Sequence, residues 1–269
     1  MSEQIPTSPS SAQIASPSYL LPVEDTQFLL RDEMRAVRFA LEYSKADLLL
    51  RDWGIRSTII VFGSARVPSP ERMQAWEQTN ARVEESQLQR IRKQLSWYES
   101  ARELGRIVSE RGGAKAPHDR WRDNVIATGG GPGIMEAANR GAYEANAPSI
   151  GFNIRLPHEQ FPNAYTTPEL TFRFKMHLAM RANALVIFPG GFGTMDELFE
   201  ILTLRQTNKA PELPIVLFGT DYWRSLVNFD VLLEEGMISK EDLELFDFAD
   251  SAEQTWDILV KRGLRAHTP

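Results

Sequence analysis

Apolar residues recur in this chain at two spacings, and the change from one to the other divides it. Between residues 24 and 50, Leu30, Met34, Val37, Leu41 and Leu48 fall on one face at helical spacing. That predicts a helix whose stripe packs inward, with Gly54 just beyond it. From Ser57 the spacing gives way to short continuous apolar runs. Thr58-Ile59-Ile60-Val61-Phe62 ends at Gly63 as a buried strand does, and similar runs occupy 124–127, 148–152, 184–188 and 214–218. Helical stretches separate them. One lies around 82–111, with Leu88, Ile91, Leu95 and Tyr98 on one face and Gly112-Gly113 closing it; others are predicted at 134–145, 173–182, 194–207, 221–235 and 252–262. Residues 115–122 read as a polar loop. Buried strands alternating with helices predict an α/β fold: an open, doubly wound, mainly parallel sheet with helices on both faces, plus an N-terminal helical extension. The expected organisation is a disordered tail at 1–20, the extension at 21–55 and the sheet domain at 56–265.

Composition narrows the chemistry. The 269 residues are 42% hydrophobic and 25% charged, an ordinary globular balance with material for a sizeable core. Thirty basic against 36 acidic residues give a net charge of −6, without the overall positive field of nucleic-acid or anionic-membrane binders. Cysteine is absent, which removes disulfides, thiolate nucleophiles, Cys-type zinc sites and iron–sulfur clusters. The four histidines, His118, His158, His177 and His267, show no metal-binding spacing, so no metal is expected. The first basic residue is Arg31 and the first 18 residues are Ser/Pro-rich, which does not read as a signal peptide. No apolar run approaches the ~18 residues of a membrane span. A soluble, cytoplasmic protein is expected, with neither nucleic acid nor membrane as partner.

In a doubly wound sheet, ligands bind at the carboxyl ends of the strands. Three of these junctions are unusual: Gly63-Ser64-Ala65-Arg66, Thr128-Gly129-Gly130-Gly131-Pro132-Gly133, and Pro189-Gly190-Gly191-Phe192-Gly193-Thr194. Glycines between strand and helix let the backbone approach a ligand, and the N–H groups at the helix start favour an anion. The standard dinucleotide and Walker fingerprints fail, since Ile134 stands where each needs glycine. The expected donors to such an anion are the amides of Gly130, Gly131, Gly190, Gly191 and Gly193, with Ser64 and Thr194.

Thr194-Met195-Asp196-Glu197 matches a capping box, with Thr194 as the cap and Glu197 reaching back to its N–H, and this is a complete structural explanation of Glu197. A capping box alone would not require Pro-Gly-Gly-Phe-Gly before it. Two acids in a first turn would also repel a phosphate on that helix, so phosphate is expected on the glycine amides. Asp196 and Glu197 are then left for sugar hydroxyls or a developing cation, as cleavage through an oxocarbenium-like transition state requires.

These residues resemble the LOG family, formerly labelled lysine decarboxylase-like, whose PGGxGTxxE hallmark is intact from Pro189 to Glu197. Phe62-Gly63-Ser64-Ala65-Arg66 looks like its first-strand motif, and the run from Gly129 through Gly133 to Ile134-Met135-Glu136 looks like its second glycine loop. Gly151-Phe152-Asn153-Ile154 to Pro157-His158-Glu159-Gln160 resembles its connecting segment, and the resemblance spans about 56–262. It implies a Rossmann-like fold, a homodimer or larger assembly with active sites near the interface, and no cofactor. It also implies a phosphoribohydrolase that splits a nucleoside 5′-monophosphate, either AMP or a cytokinin riboside monophosphate, into base and ribose 5-phosphate. Glu197, with Arg173 and Lys175, would be catalytic. Gly63, Ser64, Arg66, Gly129, Gly130, Gly131, Gly133, Met135, Glu136, Pro189, Gly190, Gly191, Gly193, Thr194 and Asp196 would bind substrate. For Arg66 a surface ion pair is an equal alternative, and for Glu136 a structural role is favoured.

One position departs from the family. An Arg-Lys pair precedes its PGG strand; Lys175 falls on the lysine, but Phe174 occupies the arginine position and Arg173 lies one residue earlier. One residue is about 100° of helix rotation, so Arg173 substitutes only if the backbone shifts locally. The alternative function is therefore a non-catalytic nucleotide- or nucleotide-cofactor-binding protein, like the molybdenum-cofactor carriers among the relatives. Amino-acid decarboxylation ranks third, because it needs a Schiff-base lysine and only Lys175 lies near the motif.

Overall fold

The computed structural model describes residues 11–79, 84–153, 161–172 and 181–264. The chain divides into two compact units, Met1–Leu48 and Leu49–Pro269.

In the first unit, α1 (Ser11–Ile14), a 3-10 turn at Pro17–Tyr19, α2 (Thr26–Leu29) and a 3-10 turn at Asp32–Met34 lead into α3 (Arg35–Asp52). The continuous helix expected over 24–50 is interrupted, because Arg31 takes an extended conformation (φ −62°, ψ 151°). Asp25 caps the separate short helix by accepting from the Phe28 N–H at 2.9 Å. The stripe differs too: Leu30, Val37, Leu41 and Leu48 are exposed. Helical period states which residues share a face, and burial needs a second element over that face. Of the tail expected at 1–20, residues 1–10 lie outside the described residues.

In the second unit, Ile55 is fully buried and accepts from the Arg181 guanidinium through its carbonyl. Residues 49–55 fall within this unit. The order is then β1 (Thr58–Phe62), α4 (Pro70–Thr79), α5 (Glu85–Arg111), β2 (Val125–Thr128), α6 (Ile134–Glu144), β3 (Ser149–Phe152) and β4 (Thr171–Phe172). It continues as β5 (Ala182–Ile187), α7 (Phe192–Gln206), β6 (Ile215–Phe218), α8 (Thr220–Leu226), α9 (Phe229–Glu234), β7 (Asp247–Ala249) and α10 (Ala252–Lys261). The single helix expected over 221–235 is two, because Asn228 starts a new one by accepting from the Val231 N–H. The helix expected at 173–182 lies outside the described residues except for its end, where Ala182 already belongs to β5.

Among the described residues the sheet has the order β4-β3-β2-β1-β5-β6-β7, parallel throughout. Parallel strands are covered on both faces and read as continuous apolar runs, and every residue of β1, β2, β3 and β6 is buried. Registers such as Ile59↔Ile126 and Ile60↔Leu185 keep apolar neighbours in line across β1. One core joins Ile59, Val61, Ile126 and Val186 of the sheet to Tyr98, Leu104 and Ile107 of α5, Ala137 and Ala138 of α6, and Trp256 of α10. Helices α5 and α6 approach almost to backbone contact: a Cβ on Gly141 would lie 1.9 Å from the Arg102 carbonyl oxygen.

The chain builds outward from β1 to β4, then returns to place β5 on the other side of β1. This is the reversal at which open α/β sheets form a crevice at their strand tips.

Candidate active site

Three glycine-rich junctions meet at that reversal, and the backbone of Ser64 ties them together. Its N–H donates to the Pro189 carbonyl at 3.0 Å, and its carbonyl accepts from the Ile134 N–H at 3.1 Å. The tips of β1, β2 and β5 are thus locked edge to edge. Gly133 makes the second contact possible. It sits at φ +73°, and a Cβ there would stand 2.3 Å from the Ser64 carbonyl oxygen.

A cavity of about 590 Å³ opens over the junctions. Of the residues expected to bind substrate or act on it, Gly63, Ser64, Arg66, Gly129, Met135, Gly190, Gly191, Gly193, Thr194 and Glu197 line it. Phe62, Ala65, Phe152, Asn153, Phe192, Met195 and Tyr222 complete the wall. Arg173 and Lys175 lie outside the described residues, as does Phe174.

The loop after β2 contributes less to the cavity wall than its glycines suggest. Gly130, Gly131 and Gly133 are buried, and none of them lines the cavity. The Gly130 N–H, expected as a ligand donor, is spent on the Thr128 hydroxyl at 2.8 Å. Thr128 in turn donates to Asn139 Oδ1 at 2.7 Å, and Asn163 Nδ2 donates both to that atom at 3.0 Å and to the Gly131 carbonyl at 2.9 Å. Asn139 Nδ2 donates to the Ser149 hydroxyl at 3.0 Å. This buried network ties the loop to the protein interior, as buried polar groups require. Only Gly129 and Met135 from this junction reach the cavity. Glu136, in the first turn of α6, accepts from the Tyr98 hydroxyl at 2.9 Å and does not line the cavity. Burial pushes the Tyr98 phenol well above its ordinary pKa; the Glu136 carboxylate acts in the same direction and the Arg140 guanidinium in the opposite one.

The loop after β5 is built the other way round. Pro189 and Gly190 are buried, and a Cβ on Gly190 would come within 2.1 Å of the Thr194 hydroxyl. Gly191 and Gly193 face open space. Here the structure corrects the capping box. The N-cap of α7 is Gly191, whose carbonyl accepts from the N–H groups of Thr194 and Met195, both at 3.0 Å. Thr194 is therefore a buried residue within the first turn, packed on Gly190, and not the cap. Glu197 stands in the second turn, beyond reach of a capping role. No acid lies in the first turn of α7, so the repulsion expected there is absent and the helix start can receive an anion.

The two acids part company. Asp196 is exposed and lines a neighbouring surface groove with Phe192, Phe199 and Glu200. Glu197 is half-buried and lines the cavity.

Tyr222, which the sequence reading missed, forms the wall facing this loop. Its hydroxyl donates to the Gly190 carbonyl at 2.6 Å, and its ring meets Trp97 edge-on at 5.7 Å. Burial raises its pKa, so it remains a donor at neutral pH. Tyr222 and Asn153 both lie just past the carboxyl end of a strand, β6 and β3, and that position was the one signal available.

Among the described residues no helix is long and apolar enough to cross a membrane. A family model described as "Possible lysine decarboxylase" matches residues 135–259. The chain is 27% identical over 151 residues to a probable cytokinin riboside 5′-monophosphate phosphoribohydrolase of Oryza sativa subsp. japonica, which covers 51% of this chain and 67% of the rice protein. It is 32% identical over 130 residues to the pyrimidine/purine nucleotide 5′-monophosphate nucleosidase of Escherichia coli (strain K12), covering 41% of this chain but only 28% of that one. A solved molybdenum cofactor carrier protein from Chlamydomonas reinhardtii superposes with a TM-score of 0.41 at 18% identity, over 78% of this chain and 100% of that one. The family model falls on the second half of the sheet domain, and with the hallmark from Pro189 to Glu197 intact at its switch point the chain is similar to the LOG, or lysine decarboxylase-like, family.

Proposed function

We propose that this protein hydrolyses the N-glycosidic bond of a purine nucleoside 5′-monophosphate, AMP or a cytokinin riboside monophosphate, releasing free base and ribose 5-phosphate. The observation that carries the proposal is the placement of Glu197: a carboxylate facing a cavity one helical turn beyond an acid-free helix start. Phosphate would sit on the Gly191-Phe192-Gly193 start of α7, with Ser64 at its side. Four residues of helix rise separate Gly193 from Glu197, about 6 Å along the axis. That leaves room for a ribose between the two. The apolar side chains of Phe62, Met135, Phe152 and Phe192 suit a planar base.

In the reaction, the C1′–N bond breaks with its electron pair passing to the base, which takes up a proton, while water adds its oxygen to C1′. The ionised Glu197 would stabilise the positive charge gathering on the ribosyl ring or orient that water, and a well-placed electrostatic group is worth about 3–4 kcal/mol in such a transition state. Names carried by the relatives in rice and Escherichia coli fit this chemistry. A homodimer in the cytoplasm, as the family resemblance implies, belongs to the same proposal. The direct test is to incubate the protein with AMP and chromatograph for free adenine.

Phe174 at the family's arginine position favours a second reading, nucleotide binding without turnover. Calorimetric AMP binding with no adenine released would select it.

A further inference from the structure

We propose that a groove beside the nucleotide cavity is a second anion site, shaped for the polyphosphate group of a nucleotide. It is marked by the three arginines whose side chains have no partner among the described residues. Elsewhere, Arg56 pairs with Asp123, Arg106 with Glu103 and Glu110, and Arg111 with Glu253, and the other described arginines each have a partner as well. Arg66, Arg72 and Arg90 have none, and all three line one groove of about 430 Å³. They arrive from three elements, the turn after β1, α4 and α5, so helical spacing does not account for their meeting. Among the described residues no acidic one lines the groove, in a chain whose net charge is −6.

A cleft walled by one sign of charge concentrates counter-ions, and guanidinium forks match phosphate oxygens two at a time. Three guanidiniums exceed what one phosphate needs and fit a chain of two or three. Trp76, with Met73 and Ile91, adds a flat apolar wall on which a base can lie. Arg66 lines both this groove and the larger cavity, so a bound polyphosphate would compete for it with a monophosphate. That coupling rests on the proposed function; the anion site does not. The α4 and α5 residues of the groove precede the segment matched by the family model.

The test is calorimetry of the full chain with AMP, ATP and inorganic tripolyphosphate, on the parent and on R72A/R90A. The expected result is that the double substitution weakens ATP at least about tenfold and leaves AMP affinity unchanged, as loss of two charge-assisted contacts implies. An equal loss for tripolyphosphate assigns recognition to the phosphates alone; a loss confined to ATP assigns it to the nucleotide. R72K/R90K, which keeps charge without the fork, should fall between parent and double alanine, and serves if the alanine variant does not fold. The proposal is overturned if the parent binds neither polyphosphate, if neither variant changes their affinity, or if only a single-stranded oligonucleotide responds. Loss of AMP binding in the parent would undo the hydrolase reading and leave this result standing.

Discussion

The loops after β2 and β5 look alike in sequence and behave as opposites in the fold. Both are glycine-rich, both follow a buried strand and both lead into a helix. The first turns its backbone inward, where Thr128 and Asn163 bond it and Asn139 links the two. The second leaves Gly191 and Gly193 open at the head of α7. Glycine content thus reports that a backbone must come close to something, and the neighbouring polar side chains decide whether that something is protein or ligand.

Substitutions should separate the two loops. Gly133→Ala combines a positive φ with a clash at the Ser64 carbonyl, and its expected cost is about 3 kcal/mol of stability in denaturant unfolding. Gly191→Ala, at φ −93° with nothing near its Cβ, should change stability by less than about 0.5 kcal/mol while weakening AMP binding. Equal destabilisation by both would erase the distinction drawn here. Tyr222→Phe keeps the cavity wall but removes the hydroxyl that holds Gly190; calorimetry should show AMP affinity reduced several-fold, with about 1 kcal/mol lost in stability. A distant control lies on the outer face of α6. Burial would raise the pKa of Glu144, but Arg102 and Arg140 outweigh it and hold that pKa below the ordinary 4.5. Its contribution to stability is therefore complete above pH 4.5 and lost as pH falls through the lowered value. Glu144→Gln should flatten the acid limb of the unfolding curve below that pH and leave AMP binding untouched.

Much of this architecture was legible in the residues. Strand β1 matches its apolar run end to end, because a strand covered on both faces shows no alternation to misread. Strands β4 and β7 were invisible, being two and three residues long at the sheet edges. The start of α7 was misread because Thr-x-x-Glu is the signature of a capping box, while the donor pattern that sets the start belongs to a backbone carbonyl, that of Gly191. The stripe on α3 kept its period and not its burial. At the site, the motif residues were readable, whereas Tyr222 and Asn153 carry no local signature; only the folding that brings the carboxyl ends of β3 and β6 to the same cavity brings them in.

The most direct measurement compares adenine release from AMP by the parent protein and by Glu197→Gln at saturating substrate, with AMP affinity determined for both. The expected result is release by the parent, a loss of roughly a hundred- to a thousandfold in the variant, and similar affinity in the two. Equal rates of release, or no release by a parent that binds AMP, would contradict the role assigned to Glu197.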